Sequence, residues 1–560
     1  MARKKTIEIS WVRYWILVAI LLSLVGSLVW RAIHLQLNES SFLKNQGDVR
    51  HIREIEMPAY RGMIVDREGE PLAVSTPVGS VWMDPAEIKT PSELQDWREK
   101  LPSLAVLLEK SPNWLNAKLQ RYSEYRFVYL KRHLAPALIK KIKKLKFPGI
   151  HVQREYHRFY PSSEVTAHVL GFTDIDDNGL EGLELRYDEW LQGTAGRVRV
   201  IKDLKGNVIE HLDTLLKPRP GQKLQVSIDQ RLQFLAYKAL KKAVRKHQAS
   251  SGTLVILQAS SGEILALVNQ PDFNPNNSSE RQSLRYRNRA ATDIFEPGST
   301  IKPFTMAIAL ENQIVTENTV IDTSPGYLQI QDYTVRDFKN YGSIDMGTII
   351  RKSSNVGVCK IALKMPAEMF SASLSASGFG MTTESTLPGE SGGKLSDFQR
   401  WQKVDRCTHA YGYGLSVTAL QLAKAYTVFA NQGRLMPLSI LPRQKNPTGQ
   451  VVFQPKVANS VLRMMEQVVS KAGSGKRATV PGYRVAGKTG TVHKIGKTGY
   501  VDKYLSLFAG IVPVSDPQLI MVVIVDNPST GGYYGGVVAA PVFADVMTDA
   551  LRLLNIPPDR

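Results

Sequence analysis

The stretch Tyr14–Trp30, YWILVAILLSLVGSLVW, contains no charged side chain and constrains every other reading of the chain. As an α-helix it is about 26 Å long, near the thickness of a bilayer's hydrocarbon core. Arg13 and Arg31 flank it and can extend to the interfaces. The pattern runs on through AIHLQL, so an anchor is expected over 14–37. Arg3, Lys4, Lys5 and Arg13 precede it, which puts residues 1–13 in the cytoplasm by the positive-inside rule. The competing reading is a cleaved signal peptide. The apolar run is long for one and ends in Trp-Arg without an A-x-A site, so an uncleaved anchor is expected. No second long apolar run follows, so residues 38–560 are expected outside the cytoplasm.

A chain of 560 residues has room for two or three domains with their own cores. Its 43% hydrophobic and 22% charged residues describe an ordinary globular protein. The net charge of +20 is scattered, with small clusters at Lys140–Lys146 and Lys241–Arg245. No nucleic-acid-binding motif accompanies them, and no nucleic-acid partner is expected. Solvated surface is the reading, with attraction to an anionic membrane or polymer as the alternative. The two cysteines, Cys359 and Cys407, have no metal-ligand spacing, and HExxH and CxxC are absent. Neither a metal nor an organic cofactor is expected. Whether the cysteines pair is not readable from sequence. Cys359 lies in an apolar stretch and Cys407 among polar neighbours, and two free thiols are the expectation.

After the anchor the texture is mixed. RGMIVDREGEPLA, 61–73, reads as two short strands about a turn at Arg67–Gly69. Pro91–Gln120 has helical spacing, Glu164–Gly171 and Leu180–Trp190 look like short helices, and strands are expected around Arg197–Ile201 and Val208–His211. LKPRPGQ, 216–222, is a Pro/Gly break and marks a boundary at 220. Beyond it Asp229–His247 is an amphipathic helix candidate. Thr253–Leu257 and Glu263–Val268 form a hairpin through Ser260-Ser261-Gly262. Leu505–Val514 and Leu519–Val525 are late apolar strands, and Pro541–Leu554 is a helix with proline in its first turn. Strands at both ends with helices between predict one α+β domain, 221–560, whose sheet closes by bringing the two ends together.

The candidate chemistry lies in this region. In FEPGSTIKPFT, 295–305, Pro297-Gly298 marks a turn, so Ser299 opens a helix and Lys302 lies on the same face three residues on. The helix N-terminus favours developing negative charge. A lysine base must lose the proton it carries at an ordinary pKa near 10.4. That requires a desolvated site beside a second cation. Ser353-x-Asn355 supplies, on a helix, a hydroxyl that can relay a proton and an amide that can hold a substrate amide. In RVAGKTGTV, 484–492, Lys488 on an edge strand would be the second cation. Thr489 and Thr491 can hold a carboxylate, and Gly490 admits close backbone approach. Each motif has a decoy: Ser41-x-x-Lys44, Ser111-x-Asn113 and Lys497-Thr498-Gly499.

The ordered trio Ser-x-x-Lys, Ser-x-Asn, Lys-Thr-Gly is the signature of penicillin-binding proteins and class A β-lactamases. On it the chain resembles class B penicillin-binding proteins of the FtsI type. The resemblance extends over nearly the whole chain, through RGMIVDREGEPLA, RNRAATDIFEPGSTIKPF (287–304), KSSNVGV (352–358), YGYGLSVTALQLA (411–423), VAGKTGT and YYGGVVAAPVF (533–543). It implies a pedestal, or dimerisation-type, domain over 38–220 and a serine β-lactamase-like transpeptidase domain over 221–560, with an antiparallel sheet flanked by helices. It implies a single-pass inner-membrane protein whose catalytic domain is periplasmic and crosslinks septal peptidoglycan. Ser299 would attack the D-Ala-D-Ala bond, Lys302 would take its proton, and Ser353 would pass a proton to the leaving D-Ala. Asn355 would bind the donor amide, Lys488 would tune the charge, and Thr489 and Thr491 would hold the carboxylate. The N–H groups of Ser299 and Thr491 would form the oxyanion hole. β-Lactams would acylate Ser299. The implied partners are stem peptides, the FtsW-type glycosyltransferase and other division proteins.

Three rivals are weighed. A β-lactam-hydrolysing or sensing acyl-enzyme would share the acylation site. None of Glu368, Glu384, Glu390 and Glu466 has the E-x-x-L-N context of a class A deacylating base, and a class D enzyme would carry valine in place of Asn355. A conventional serine hydrolase could use Gly389-Glu-Ser391-Gly-Gly393, but its flanks are polar rather than strand and helix. His409 and His493 have no serine partner in sequence and read as exposed or structural. A division scaffold with dispensable catalysis is the third rival, and the intact trio argues against it.

Overall fold

A computed structural model describes residues 11–37, 39, 41, 52–202, 208–496 and 499–560. They divide into two compact units: Met1–Ala59, Gly79–Glu155 and Thr194–Arg219 in one, Tyr60–Val78, Tyr156–Gly193 and Pro220–Arg560 in the other. The unit that carries the trio therefore also takes in two segments that precede residue 220.

The first unit contains the helix Trp11–Leu37, which runs through Arg31 without a break and has no buried residue. It is one helix long and apolar enough to cross a membrane. Ile52–Met57, Gly196–Lys202 and Val208–Leu216 form an antiparallel sheet in which the middle strand is Gly196–Lys202. The helical region expected over 91–120 is split into Pro91–Leu108 and Pro112–Arg121. Glu109 ends the first helix in the left-handed region at φ 54°, and the Ser111 hydroxyl caps the second by accepting the Trp114 N–H. Trp97, Leu101, Leu104 and Leu108 are buried together with Val128 and Leu130. The helix Pro136–Lys144 buries Ile139 and Ile142, while Lys140, Lys141, Lys143, Lys144 and Lys146 are exposed.

In the second unit the turn expected at Arg67–Gly69 is present, tied by Asp66, whose Oδ1 accepts the N–H groups of Glu68 and Glu70. The strand after it is longer than expected, Pro71–Met83, and passes into the first unit's segment after Val78. Short helices at Ala167–Leu170, Gly182–Arg186 and Asp188–Leu191 fall where two were expected. Glu184, with no exposure, receives Arg61 Nε at 2.6 Å and Arg158 Nε at 2.6 Å.

The central sheet of this unit has five strands: β1 Ser251–Gln258, β2 Ile264–Gln270, β3 Ala486–Gly496, β4 Gly499–Val512 and β5 Leu519–Asp526. Their order is β2-β1-β5-β4-β3, all antiparallel. β1 and β5 pair from Leu519↔Gln258 to Asp526↔Ser251, so the two ends of the domain meet as the sequence predicts. Both faces are covered, which explains the uninterrupted apolar runs. Helices α1 Gln230–Lys246 and α7 Gly535–Leu553 cover one face. The other carries α2 Lys302–Glu311, α3 Met346–Lys352, α4 Asn355–Ala362, α5 Lys403–Ala410 and α6 Ala419–Ala430.

Two expectations are corrected. α7 begins six residues early, so Pro541 lies inside the helix rather than in its first turn. The reason is Gly535: a Cβ there would lie 2.3 Å from both Gly490 O and Leu507 O, so only glycine lets the helix start against β3 and β4. Buried Val538, Phe543 and Val546 hold the helix on the sheet although Pro541 lacks an N–H. The cysteines are not free thiols. Cys359 and Cys407 form a disulfide, and both are fully buried. The polar neighbours of Cys407 were misleading because helical periodicity turns Cys407 inward beside His409 and Ala410.

Removing Glu184 would leave two buried guanidinium groups without their carboxylate. Glu184→Ala is expected to destabilise the protein by about 3–5 kcal/mol. Thermal unfolding of the detergent-solubilised chain measures this, and an unshifted midpoint would show the ion cluster to be dispensable.

Candidate active site

Ser299 lies in a 3₁₀ turn, Gly298–Ile301, that leads directly into α2. It is half-buried, between fully buried neighbours. The turn is held by close backbone contacts. Gly298 adopts φ +53°, and a Cβ there would meet Val492 Cγ2 on β3 at 2.4 Å. The Gly298 N–H donates to Gly412 O at 2.9 Å, and Gly412 itself has φ +88° with no room for a Cβ. Thr300 Oγ1 donates to Pro297 O, and Tyr426 Oη donates to Thr300 O. Glu296, just ahead, accepts the Gly414 N–H at 2.8 Å and the Tyr500 hydroxyl at 3.1 Å.

Lys302 is the first residue of α2, and its side chain has no exposure. Its ammonium group donates to Ser353 O at 2.6 Å, to Asn355 Oδ1 at 2.7 Å and to Ser353 Oγ at 3.1 Å. The sequence reading aimed it at the Ser299 hydroxyl, whereas its hydrogen bonds go to the second motif. That motif is not within one helix as expected but at a corner between two. Ser353 ends α3 in the left-handed region at φ 59°, and Ser354 caps α4 by accepting the Gly357 N–H. The corner turns the Ser353 hydroxyl and the Asn355 amide towards Lys302.

A residue that sequence reasoning missed secures this corner. Asp337 Oδ1 accepts the backbone N–H groups of Asn355 and Val356, and its Oδ2 accepts the Ser354 hydroxyl at 2.6 Å. An acidic residue 18 positions ahead of Asn355 gives no periodic signal, and only the fold brings it there. Ser474 was also missed; its hydroxyl is 2.8 Å from Thr489 Oγ1.

β3 is the edge strand of the sheet, as the motif suggested. The buried Lys488 ammonium donates to Ser353 Oγ at 2.9 Å and to Thr489 O at 3.1 Å. Gly490 lies against the Ser299 turn, where a Cβ would be 3.2 Å from Thr300 Cγ2 and 3.3 Å from Pro297 O. The Thr491 hydroxyl accepts the Gly535 N–H at 3.0 Å, which leaves its own proton free to donate. The structure thus gathers Lys302, Ser353, Asn355 and Lys488 into one hydrogen-bonded group. Ser299, Thr489, Gly490 and Thr491 lie on the adjoining turn and strand.

Two ammonium groups share one serine hydroxyl out of contact with water. Burial lowers the Lys302 pKa to about 7, and the Asp337 carboxylate acts weakly against this. Burial also lowers Lys488, and repulsion from Lys302 lowers it further. The second lysine inferred from sequence is therefore present, but desolvation is what lowers Lys302. At neutral pH a large fraction of Lys302 is a free amine able to accept a proton.

Ser111 caps a helix in the other unit. Lys44 and residues 497 and 498 lie outside the described residues. Gly389–Gly393 is an irregular loop, without the strand and helix a nucleophile elbow needs. His409 is buried against the Trp401 ring and its Nε2 is 3.2 Å from Ser396 Oγ, which also accepts the Trp401 indole N–H. That arrangement is structural. His493 is exposed beside Tyr504.

Comparison with known proteins agrees with this architecture. Residues 252–548 match the penicillin binding protein transpeptidase domain and residues 56–226 match the penicillin-binding protein dimerisation domain. The probable peptidoglycan D,D-transpeptidase PbpC of Pseudomonas aeruginosa is 42% identical over 94% of this chain and 93% of its own length. The peptidoglycan D,D-transpeptidase FtsI of Escherichia coli K12 is 40% identical over 98% of this chain and 93% of its own. Among solved structures, the transpeptidase domain of penicillin-binding protein 3 from Burkholderia pseudomallei superposes with a TM-score of 0.56 at 40% identity, covering 60% of this chain and 98% of that one. With its apolar N-terminal helix, dimerisation domain and transpeptidase domain, the chain belongs to the class B penicillin-binding proteins of the FtsI type.

Proposed function

We propose that the chain is a serine-type peptidoglycan D,D-transpeptidase that crosslinks stem peptides at the division septum and is acylated by β-lactams. The observation that carries this reading is the buried group in which Lys302 and Lys488 converge on Ser353 beside the Ser299 turn. A free amine at Lys302 takes the proton of Ser299 as Oγ attacks the carbonyl carbon of the penultimate D-Ala. The peptide bond breaks, the terminal D-Ala leaves with a proton passed through Ser353, and an ester remains on Ser299. The amine of a second stem peptide then attacks the ester, forms the crosslinking amide and returns the hydroxyl.

Asn355 holds the donor amide. Thr489 and Thr491 hold the terminal carboxylate beside Lys488. The N–H groups of Ser299, in the opening turn, and of Thr491, on an edge strand, form the oxyanion hole. The Trp11–Leu37 helix anchors the chain in the inner membrane, with the preceding residues in the cytoplasm and the catalytic domain in the periplasm. The dimerisation domain over 38–220 and the anchor serve as contacts for an FtsW-type glycosyltransferase and other division proteins. The linear boundary at 220 separates that domain from the transpeptidase domain.

Intact-mass spectrometry of the solubilised chain with benzylpenicillin tests the central step. One stable adduct with the mass of a whole penicillin is expected, and none with Ser299→Ala. Turnover of penicillin without a lasting adduct would favour the hydrolase. A folded chain with neither would favour the scaffold.

The sign of the pH dependence follows from Lys302. Its lowered pKa leaves it neutral above about pH 7 and protonated below. The acylation rate is expected to fall as pH drops through 7, by about tenfold per unit on the acid limb. Asp337→Asn removes the charge that favours the protonated lysine, so the limb should move to lower pH. Stopped-flow acylation by a fluorescent penicillin measures both, and a flat profile between pH 5 and pH 8 would rule out Lys302 as the base.

A further inference from the structure

The Cys359–Cys407 disulfide joins α4, which begins at Asn355, to α5, whose exit contacts the Ser299 turn. Cys359 is four residues after Asn355 on α4, one turn away on the same face. Cys407 is on α5, four residues before Tyr411. The exit of α5 supports the nucleophile: Ala410 O accepts the Thr305 hydroxyl of α2 at 2.8 Å, and Gly412 O accepts the Gly298 N–H at 2.9 Å. The bond spans 48 residues of sequence, and both sulfurs are fully buried.

These contacts form a ring. Ser299 follows Gly298, Gly298 is hydrogen-bonded to the α5 exit, and α5 is covalently joined to α4. Asn355 at the start of α4 accepts from Lys302, which returns to the nucleophile's helix. The covalent link lies opposite the lysine in this ring. The bond is the covalent tie between α4 and α5, and with it gone the corner bearing Ser353 and Asn355 is held on the α5 side by packing alone, with Asp337 tethering its other side. Reactions that depend on aligned groups lose about a hundredfold for a displacement near 1 Å.

We propose that Cys359 and Cys407 are a positioning pair: their disulfide is a brace that sets the separation between the nucleophile turn and the Ser353–Asn355 corner. This rests on Ser299 being the acylated nucleophile. The brace acts on the chemical step, so its loss slows acylation of bound β-lactam more than it weakens binding.

The test uses the full chain in detergent, as wild type and as Cys359→Ala/Cys407→Ala. Alkylation under denaturing conditions followed by intact mass counts free thiols, and none are expected in wild type. Stopped-flow acylation by a fluorescent penicillin, well below the unfolding midpoint, separates the acylation rate constant from the dissociation constant of the initial complex. The variant is expected to lose about tenfold in the rate constant, with the dissociation constant changed less than twofold. Wild type reduced stepwise with a phosphine should lose rate in proportion to the thiols exposed. Two alkylatable thiols in wild type, or an unchanged rate constant in the variant, would overturn the brace. So would outright unfolding of both the variant and the reduced wild type, because the bond would then hold the whole unit rather than the site. A wild type that forms no adduct would overturn the transpeptidase reading first, and the brace with it.

Discussion

The site depends on the burial of two like charges around one hydroxyl. Lys302 and Lys488 both donate to Ser353 Oγ, and neither side chain reaches solvent. In water such a pair would carry two protons. Here desolvation favours the neutral amine at both lysines, and repulsion from Lys302 lowers Lys488 further. The fold pays for this arrangement with hydrogen bonds: Lys302 has three acceptors and Lys488 has two. A lysine whose ordinary pKa would keep it protonated is thereby lowered to about 7.

Everything around the pair serves to keep it dry and aligned. The five-stranded sheet supplies a rigid edge strand that presents Lys488, and α2 presents Lys302 from its first position. Glycines at 298, 412, 490 and 535 let the Ser299 turn, the α5 exit, β3 and the start of α7 approach at backbone distance. The Ser353 corner is secured by Asp337, whose carboxylate satisfies the opening N–H groups of α4.

Much of this was legible in the sequence, for identifiable reasons. The anchor is a run of uncharged residues. The strands β1, β4 and β5 are apolar runs, because a sheet covered on both faces needs no polar alternation. The trio is visible because the chemistry requires those residue types. Other features are set by tertiary contacts and leave no local pattern. Asp337 reaches the site only through the fold. The corner at Ser353 looks helical in sequence because nothing nearby marks a left-handed residue. The early start of α7 depends on what Gly535 must fit beneath. The disulfide depends on two helices meeting across 48 residues. Lys302 was expected to owe its low pKa to desolvation beside a second cation; burial lowers it, and Lys488 is not among the causes.

The proposed chemistry requires Lys302 to hold a free amine near neutral pH. Its protonation can be followed directly in the full-length chain by NMR of lysine labelled with ¹³C at the ε carbon, with Lys302→Arg assigning the resonance. A titration midpoint near 7 is the predicted result. A midpoint near the ordinary value of about 10.4 would contradict the account, because the lysine would then be a permanent cation and another group would have to take the proton of Ser299.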